Sequence, residues 1–177
     1  MLVSLSELLA TPGVDRSDIE VSLKGFRCSK NLELQDFLHN KALKLEISHH
    51  TRTYLLLSKQ EERIEGFFSL ALNILETRGL SKTLIKKLST SHNAHLERLP
   101  CIVLGQLGKD DRSTIQGSEI LQCAIAMIEE GRKYFGGKFV LLDSINVEKV
   151  LNFYRQHLFE ALPIDNNKFI KMVRFLG

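Results

Sequence analysis

Residues 102–121, Ile-Val-Leu-Gly-Gln-Leu-Gly-Lys-Asp-Asp-Arg-Ser-Thr-Ile-Gln-Gly-Ser-Glu-Ile-Leu, hold the densest chemistry in the chain. An apolar run at Ile102–Leu104 leads through a short polar loop into a stretch with helical periodicity. That places Gln116, Gly117 and Ser118 at a helix N-terminus, where up to about four backbone N–H groups lack intrahelical partners and the macrodipole is positive. Phosphate oxygens bind at such an end, so the spacing points to a site for an anionic cofactor.

The other reactive residue types form weaker patterns. His49-His50 has no third ligand at a suitable spacing and reads as a polar turn closing a helix. Cys28, Cys101 and Cys123 are odd in number, far apart and without a C-x-x-C pair, which argues against a disulfide framework or a zinc site. Their simplest reading is as small buried apolar residues, with a catalytic thiol left open. No metal is expected, and neither a Ser-His-Asp order nor a Walker loop is visible.

These residues need a scaffold, and 177 residues with 44% apolar and 25% charged composition suffice for one core without a linker. The net charge of +3 is too small to diagnose a nucleic-acid partner. The N-terminal stretch lacks a basic leader and no segment approaches the ~18 apolar residues of a membrane span, so a cytoplasmic protein is expected.

Residues 1–20 read as a short helix or an arm, followed by a strand at Val21–Phe26 and a helix capped by Asn31 with its stripe at Leu34, Phe37, Leu38, Ala42 and Leu45. Thr53–Leu57 and Ile64–Leu72 suit an antiparallel pair joined by a polar turn at Lys59–Glu62. The basic segment 77–99, with Arg78, Lys82, Lys86, Lys87 and Arg98, is expected as a loop or short helix. After Pro100 comes a buried strand in which Gly105 marks a bulge or a close approach, then a helix from Ser118 ending at Gly136-Gly137. A strand at Phe139–Leu142, a helix from about Asn146 and a strand at about Phe169–Leu176 complete the order β-α-β-β, loop, β-α-β-α-β.

That order resembles the GNAT superfamily of acetyl-CoA-dependent N-acetyltransferases over about Val21–Leu176. Leu104-Gly-Gln-Leu-Gly-Lys-Asp looks like the strand-to-cofactor segment, and Gly117-Ser-Glu-Ile-Leu like the end of the pyrophosphate loop. Asn152-Phe153-Tyr154 stands where many members have a Phe-Tyr pair, and Phe26-Arg-Cys28 before an amphipathic helix resembles the compact, toxin-type branch. The resemblance implies an α/β (α+β) fold: a mixed, mostly antiparallel twisted sheet, helices on both faces and a central parallel pair splayed for acetyl-CoA. Residues 21–177 would then form a single GNAT-like domain. Two positions depart from the pattern: Ile115 stands where the loop's first glycine falls, and Leu158-Phe159 replaces a Gly-Phe pair.

The resemblance further implies roles. Backbone groups of Leu107, Gly108 and Lys109 would meet the pantetheine arm and thioester, and the amides of Ile115, Gln116, Gly117 and Ser118 the pyrophosphate, with Arg112 or Lys109 supplying charge. Tyr154 is the candidate general acid for the CoA sulfur, and Asn152 or Asn146 a pantetheine contact. Glu65, Glu76 and Asp110 are positional candidates for a base. The expected function is acetyl transfer from acetyl-CoA to a primary amine of a small molecule, peptide or protein by direct attack in a ternary complex. The alternatives are a toxin-type enzyme acetylating aminoacyl-tRNA, or an inactive fold that binds acyl-CoA or a partner. No membrane partner is expected; a homodimer and an antitoxin protein are partners this resemblance allows.

Overall fold

Alternating apolar residues make Arg52–Leu57 (β2) and Ile64–Glu76 (β3) an antiparallel ladder, in which Tyr54 lies opposite Phe68 with the two rings stacked at 5.0 Å. The computed structural model describes residues 1–59, 63–89, 91–164 and 168–177. The turn expected at Lys59–Glu62 therefore falls, from Gln60 onward, outside the described residues. Seven strands form one sheet in the order β1-β2-β3-β4-β5-β7-β6, adding Leu2–Ser4 (β1), Arg98–Lys109 (β4), Phe139–Ile145 (β5), Glu160–Ala161 (β6) and Phe169–Phe175 (β7). One pair, β4 with β5, is parallel, with Ile102 opposite Val140 and Val103 opposite Leu141. The backbone divides into two compact units, Met1–Ala71 with Gly105–Met127, and Leu72–Leu104 with Ile128–Gly177.

The first unit departs from the expected order at its start. Residues 1–20, expected as a short helix or an arm, take the helical alternative: β1 pairs with β2, Leu5–Ala10 (α1) begins at a capping box between Ser4 and Glu7, and Leu5 is fully buried. The strand expected at Val21–Phe26 is instead the end of a helix, Arg16–Lys24 (α2). Ile19 and Leu23 are buried while Val21 is 71% exposed, so four-residue spacing, not alternation, satisfies the core. Asn31 caps Leu32–Asp36 (α3), accepting from the amides of Glu33 and Leu34 as its type suggests. A π-helical turn at Phe37–Lys41 then leads into Ala42–Ile47 (α4). Phe67 on β3 anchors this layer, stacked on Phe37 at 5.9 Å and edge-on to Phe26 at 5.2 Å.

Two glycines fix the end of β4. A Cβ at Gly108 would collide with the Phe67 ring, and one at Gly105 would lie 3.2 Å from Ser69 Oγ. Phe67 and Ser69 share one face of β3, yet the glycines facing them are three residues apart, an odd count that period-two strands cannot give. That parity puts an extra residue of β4 between Gly105 and Gly108, the count of a bulge. Of the two alternatives expected at Gly105, a bulge or a close approach, the close approach is seen there.

In the second unit β5 pairs antiparallel with β7 along its whole length, from Phe139 opposite Phe175 to Ile145 opposite Phe169. Lys82–Leu88 (α5) is the short helix of the basic segment, while Arg98 and Leu99 already belong to β4. The helix Gly117–Phe135 (α6) runs through both units and stops at Gly136 and Gly137, both at positive φ. Glu148–Gln156 (α7) closes with paired bonds from Leu158 N–H to Arg155 O and Phe159 N–H to Tyr154 O, a Schellman stop. That stop demands a left-handed residue, and Leu158 supplies it at φ 66° with its side chain 72% exposed. Replacing Leu158 by Gly removes the Cβ penalty and little packing, so a urea melt should show a gain of about 0.5–1 kcal/mol.

Candidate functional site

The polar loop after β4 is built around Asp110, whose side chain is fully buried. Its carboxylate accepts from the Arg27 amide at 2.8 Å, the Arg112 amide at 2.9 Å, and Arg112 Nε and Nη2 at 2.9 Å each. Arg112 Nη2 also donates to Gly25 O at 2.8 Å. Burial pushes the Asp110 carboxyl up, but the Arg112 and Arg27 hydrogen bonds outweigh it and hold the group below the usual aspartate range. Asp111 adds a second tie, with its N–H on Arg27 O and its carboxylate accepting from Ser29 N–H, both at 2.8 Å. The chain after α2 and the loop after β4 are thereby locked together.

This arrangement corrects one expectation. Asp110 is not a general base, because its oxygens are saturated by donors and shielded from solvent. The Arg112 guanidinium clasps Asp110, and its side chain is otherwise half exposed. Lys109, by contrast, has no ion pair among the described residues.

The loop amides divide into occupied and open. Ile115 N–H is taken by Ser113 Oγ at 3.2 Å and Gln116 N–H by the Glu119 carboxylate at 2.7 Å. The N–H groups of Gly117 and Ser118 have no hydrogen-bond partner among the described residues. Glu119 was not singled out from the sequence, although Gln-x-x-Glu at a helix start is the spacing of a capping box. Gly66 shapes the same corner: its missing Cβ makes room for Ile120 on the first turn of α6. Leu107 and Gly108 lie on the bulged end of β4 and Lys109 at its terminus.

Tyr154 lies in the second unit on α7. Its ring meets Phe153 at 5.1 Å and Phe159 at 5.6 Å, both edge-on. Burial raises the phenol to about 12, so the proton stays on oxygen at neutral pH, and the hydroxyl has no partner among the described residues. Asn152, expected on the cofactor, is exposed and accepts from Arg155, which also pairs with Glu148. Asn146 precedes α7 and donates its N–H to Lys168 O. Glu76 is paired with Arg98 on the surface, and Glu65 contributes its backbone oxygen to the Asp110 amide.

The cysteines form no disulfide; burial raises Cys28 and takes Cys101 up to about 11, which keeps both as inert thiols. His49 and His50 follow α4 and bond Arg52 and Ser48. Among the described residues there is no group of three or more potential metal ligands, and no helix is long and apolar enough to cross a membrane.

No family model matches the sequence, and no curated protein sequence does. Solved structures do match it in fold. AtaT complexed with acetyl-methionyl-tRNAfMet aligns at TM-score 0.72 and 22% identity over 100% of this chain and 94% of that one. A tyrosine-to-phenylalanine mutant of KacT aligns at 0.70 and 23% identity over 86% of each chain. AtaTR bound with acetyl-CoA aligns at 0.68 and 19% identity, covering 97% of this chain and 90% of that one. This chain shares its fold with these solved structures.

Asp110→Asn keeps the shape but removes the charge that Arg112 neutralises, and should cost about 2–4 kcal/mol in a denaturant melt. Because the Asp110 carboxyl is depressed, its contribution is complete above about pH 4 and is lost as pH falls through the lower folded value. The variant should therefore show a shallower acid-side loss of stability than the wild type.

Proposed function

We propose that this chain transfers the acetyl group of acetyl-CoA to the amino group of an aminoacyl-tRNA. The observation that carries this reading is the match, along the whole chain, to AtaT complexed with acetyl-methionyl-tRNAfMet. It favours the toxin-type reading over a small-amine N-acetyltransferase. The AtaT and AtaTR structures that hold acetyl-CoA support the cosubstrate, and those with the C-terminus of the antitoxin AtaR support an antitoxin partner.

The residues present fit the cosubstrate. Gly117 and Ser118 offer amides without partners among the described residues at the positive end of a 19-residue helix, and Leu107 and Gly108 lie at the end of β4 where the strand approaches Phe67 closely. When bound, acetyl-CoA supplies the acetyl thioester. Gly117 and Ser118 would hold its phosphates, with Lys109 or Arg112 supplying charge nearby. A released β4 amide would stabilise negative charge on the carbonyl oxygen, a contact worth roughly 3 kcal/mol where it has been removed elsewhere. Tyr154 would hold its proton for the departing sulfur, and the desolvation that raises the phenol also raises the proton affinity of a thiolate beside it. The exposed cations Lys82 and Lys86 on α5 and Arg78 before it offer phosphate contacts for the nucleic acid.

Radiolabelled acetyl-CoA incubated with purified protein and a charged tRNA pool should place label on the aminoacyl amine, with tRNA binding that weakens steeply as salt rises. Label on small amines alone would overturn the reading. Tyr154→Phe should lower turnover about 10²–10⁴-fold while leaving the acetyl-CoA dissociation constant within about twofold. Glu119→Gln keeps a cap for the Gln116 amide and removes an anion from the phosphate end. Calorimetry should then show acetyl-CoA binding tighter by about three- to tenfold, an effect that shrinks in salt.

A further inference from the structure

Residues 25–31 connect α2 to α3 without helix or strand, yet their backbone alternates as a strand's does. Phe26 and Cys28 turn toward the helical layer. The Phe26 ring meets Phe67 edge-on, His39 Nε2 lies 2.8 Å from Phe26 O, and the Cys28 N–H donates to Gln35 Oε1 at 3.0 Å. Gly25, Arg27 and Ser29 turn the other way, onto residues 110–112. The Arg27 N–H donates to the Asp110 carboxylate and the Ser29 N–H to that of Asp111, while Arg27 O accepts from the Asp111 N–H and Gly25 O from Arg112 Nη2, each at 2.8 Å. Four bonds to three consecutive loop residues thus stand in for the ladder of a neighbouring strand. Connector, loop and the start of α6 all belong to the first compact unit.

Neither segment keeps its shape without the other. If the connector lifts, Asp110 loses a donor that it cannot replace from solvent, because its carboxylate is fully buried. Residues 110–112 must then rearrange, and they lie five residues before the Gly117 amide. The loop conformation that leaves the Gly117 and Ser118 amides open is therefore the one in which the connector is seated. A ligand that binds only this conformation holds the connector down, and by linkage a seated connector favours the ligand. We propose that residues 25–31 form a strap coupled to the cofactor loop: acetyl-CoA binding closes it over Cys28, and its opening withdraws the phosphate-binding end. This strap presupposes acetyl-CoA at the helix end and adds to that reading a regulation of the same site.

Cys28 supplies the readout, because its thiol is covered while the strap is seated, and Cys101, buried in the second unit, reports opening elsewhere. The purified full-length protein is treated with N-ethylmaleimide with and without acetyl-CoA, and labelling of each cysteine is followed by peptide mass spectrometry. An NMR titration alongside reads acetyl-CoA binding independently. At about thirty times the dissociation constant, Cys28 labelling should slow about 30-fold while Cys101 labelling stays unchanged. Asp111→Ala, which removes the carboxylate bonded to Ser29, should speed Cys28 labelling about 10-fold in the free protein, the effect of losing a hydrogen bond to a charged group. Acetyl-CoA should slow the variant's labelling by the same factor as the wild type's. Cys28 labelling that ignores bound acetyl-CoA would overturn the strap and leave the cofactor site standing. Equal slowing at Cys28 and Cys101 would also overturn it, as the mark of global stabilisation. Absence of acetyl-CoA binding would overturn the cofactor reading and the strap with it.

Discussion

A buried carboxylate with four hydrogen-bond donors sets the geometry on which the rest of the candidate site depends. Asp110 is fully enclosed, and an unpaired charge there would be prohibitive; Arg112 and the amides of Arg27 and Arg112 make it tolerable only in one loop conformation. That conformation joins the end of β4 to the start of α6 and leaves the Gly117 and Ser118 amides unpartnered. The stability of the brace and the readiness of the helix end are thus one property. Arg112 thus serves the loop by clasping Asp110.

The same economy governs the strand. Gly108 and Gly66 lack side chains because Phe67 and Ile120 occupy that space, and the close approach they permit accompanies the β4 bulge. The aromatic cluster of Phe26, Phe37 and Phe67 holds the helical layer, including its π-turn, against this strand. Core packing and backbone release are therefore coupled at Gly105–Gly108. A side chain added there would disturb the core and the proposed thioester contact together.

The loop-to-helix segment was legible because helix starts and stops are written in local residue types: Asn31, Gly117, Gly136 and Gly137 each stand where expected. Val21–Phe26 was misread because six residues cannot separate a two-residue from a 3.6-residue period, and Ile19, which settles it, lies outside that window. β1 and β6, of three and two residues, are too short to carry a pattern and exist through their pairing partners. The role of Asp110 was illegible for a different reason: one donor, the Arg27 amide, is 83 residues away, and only the folded chain brings it there. The positive φ of Leu158, in contrast, was signalled by the departure from Gly at that position.

The most direct test of the cofactor site is an amide-resolved NMR titration of the protein with acetyl-CoA, following the N–H resonances of Gly117 and Ser118. These two amides should shift strongly and saturate at one equivalent, with dephospho-CoA giving the same shifts and free adenosine none, because the diphosphate is the group they receive. Saturable binding that leaves both resonances unmoved, or no binding at all, would contradict the assignment of the helix end as the cofactor site.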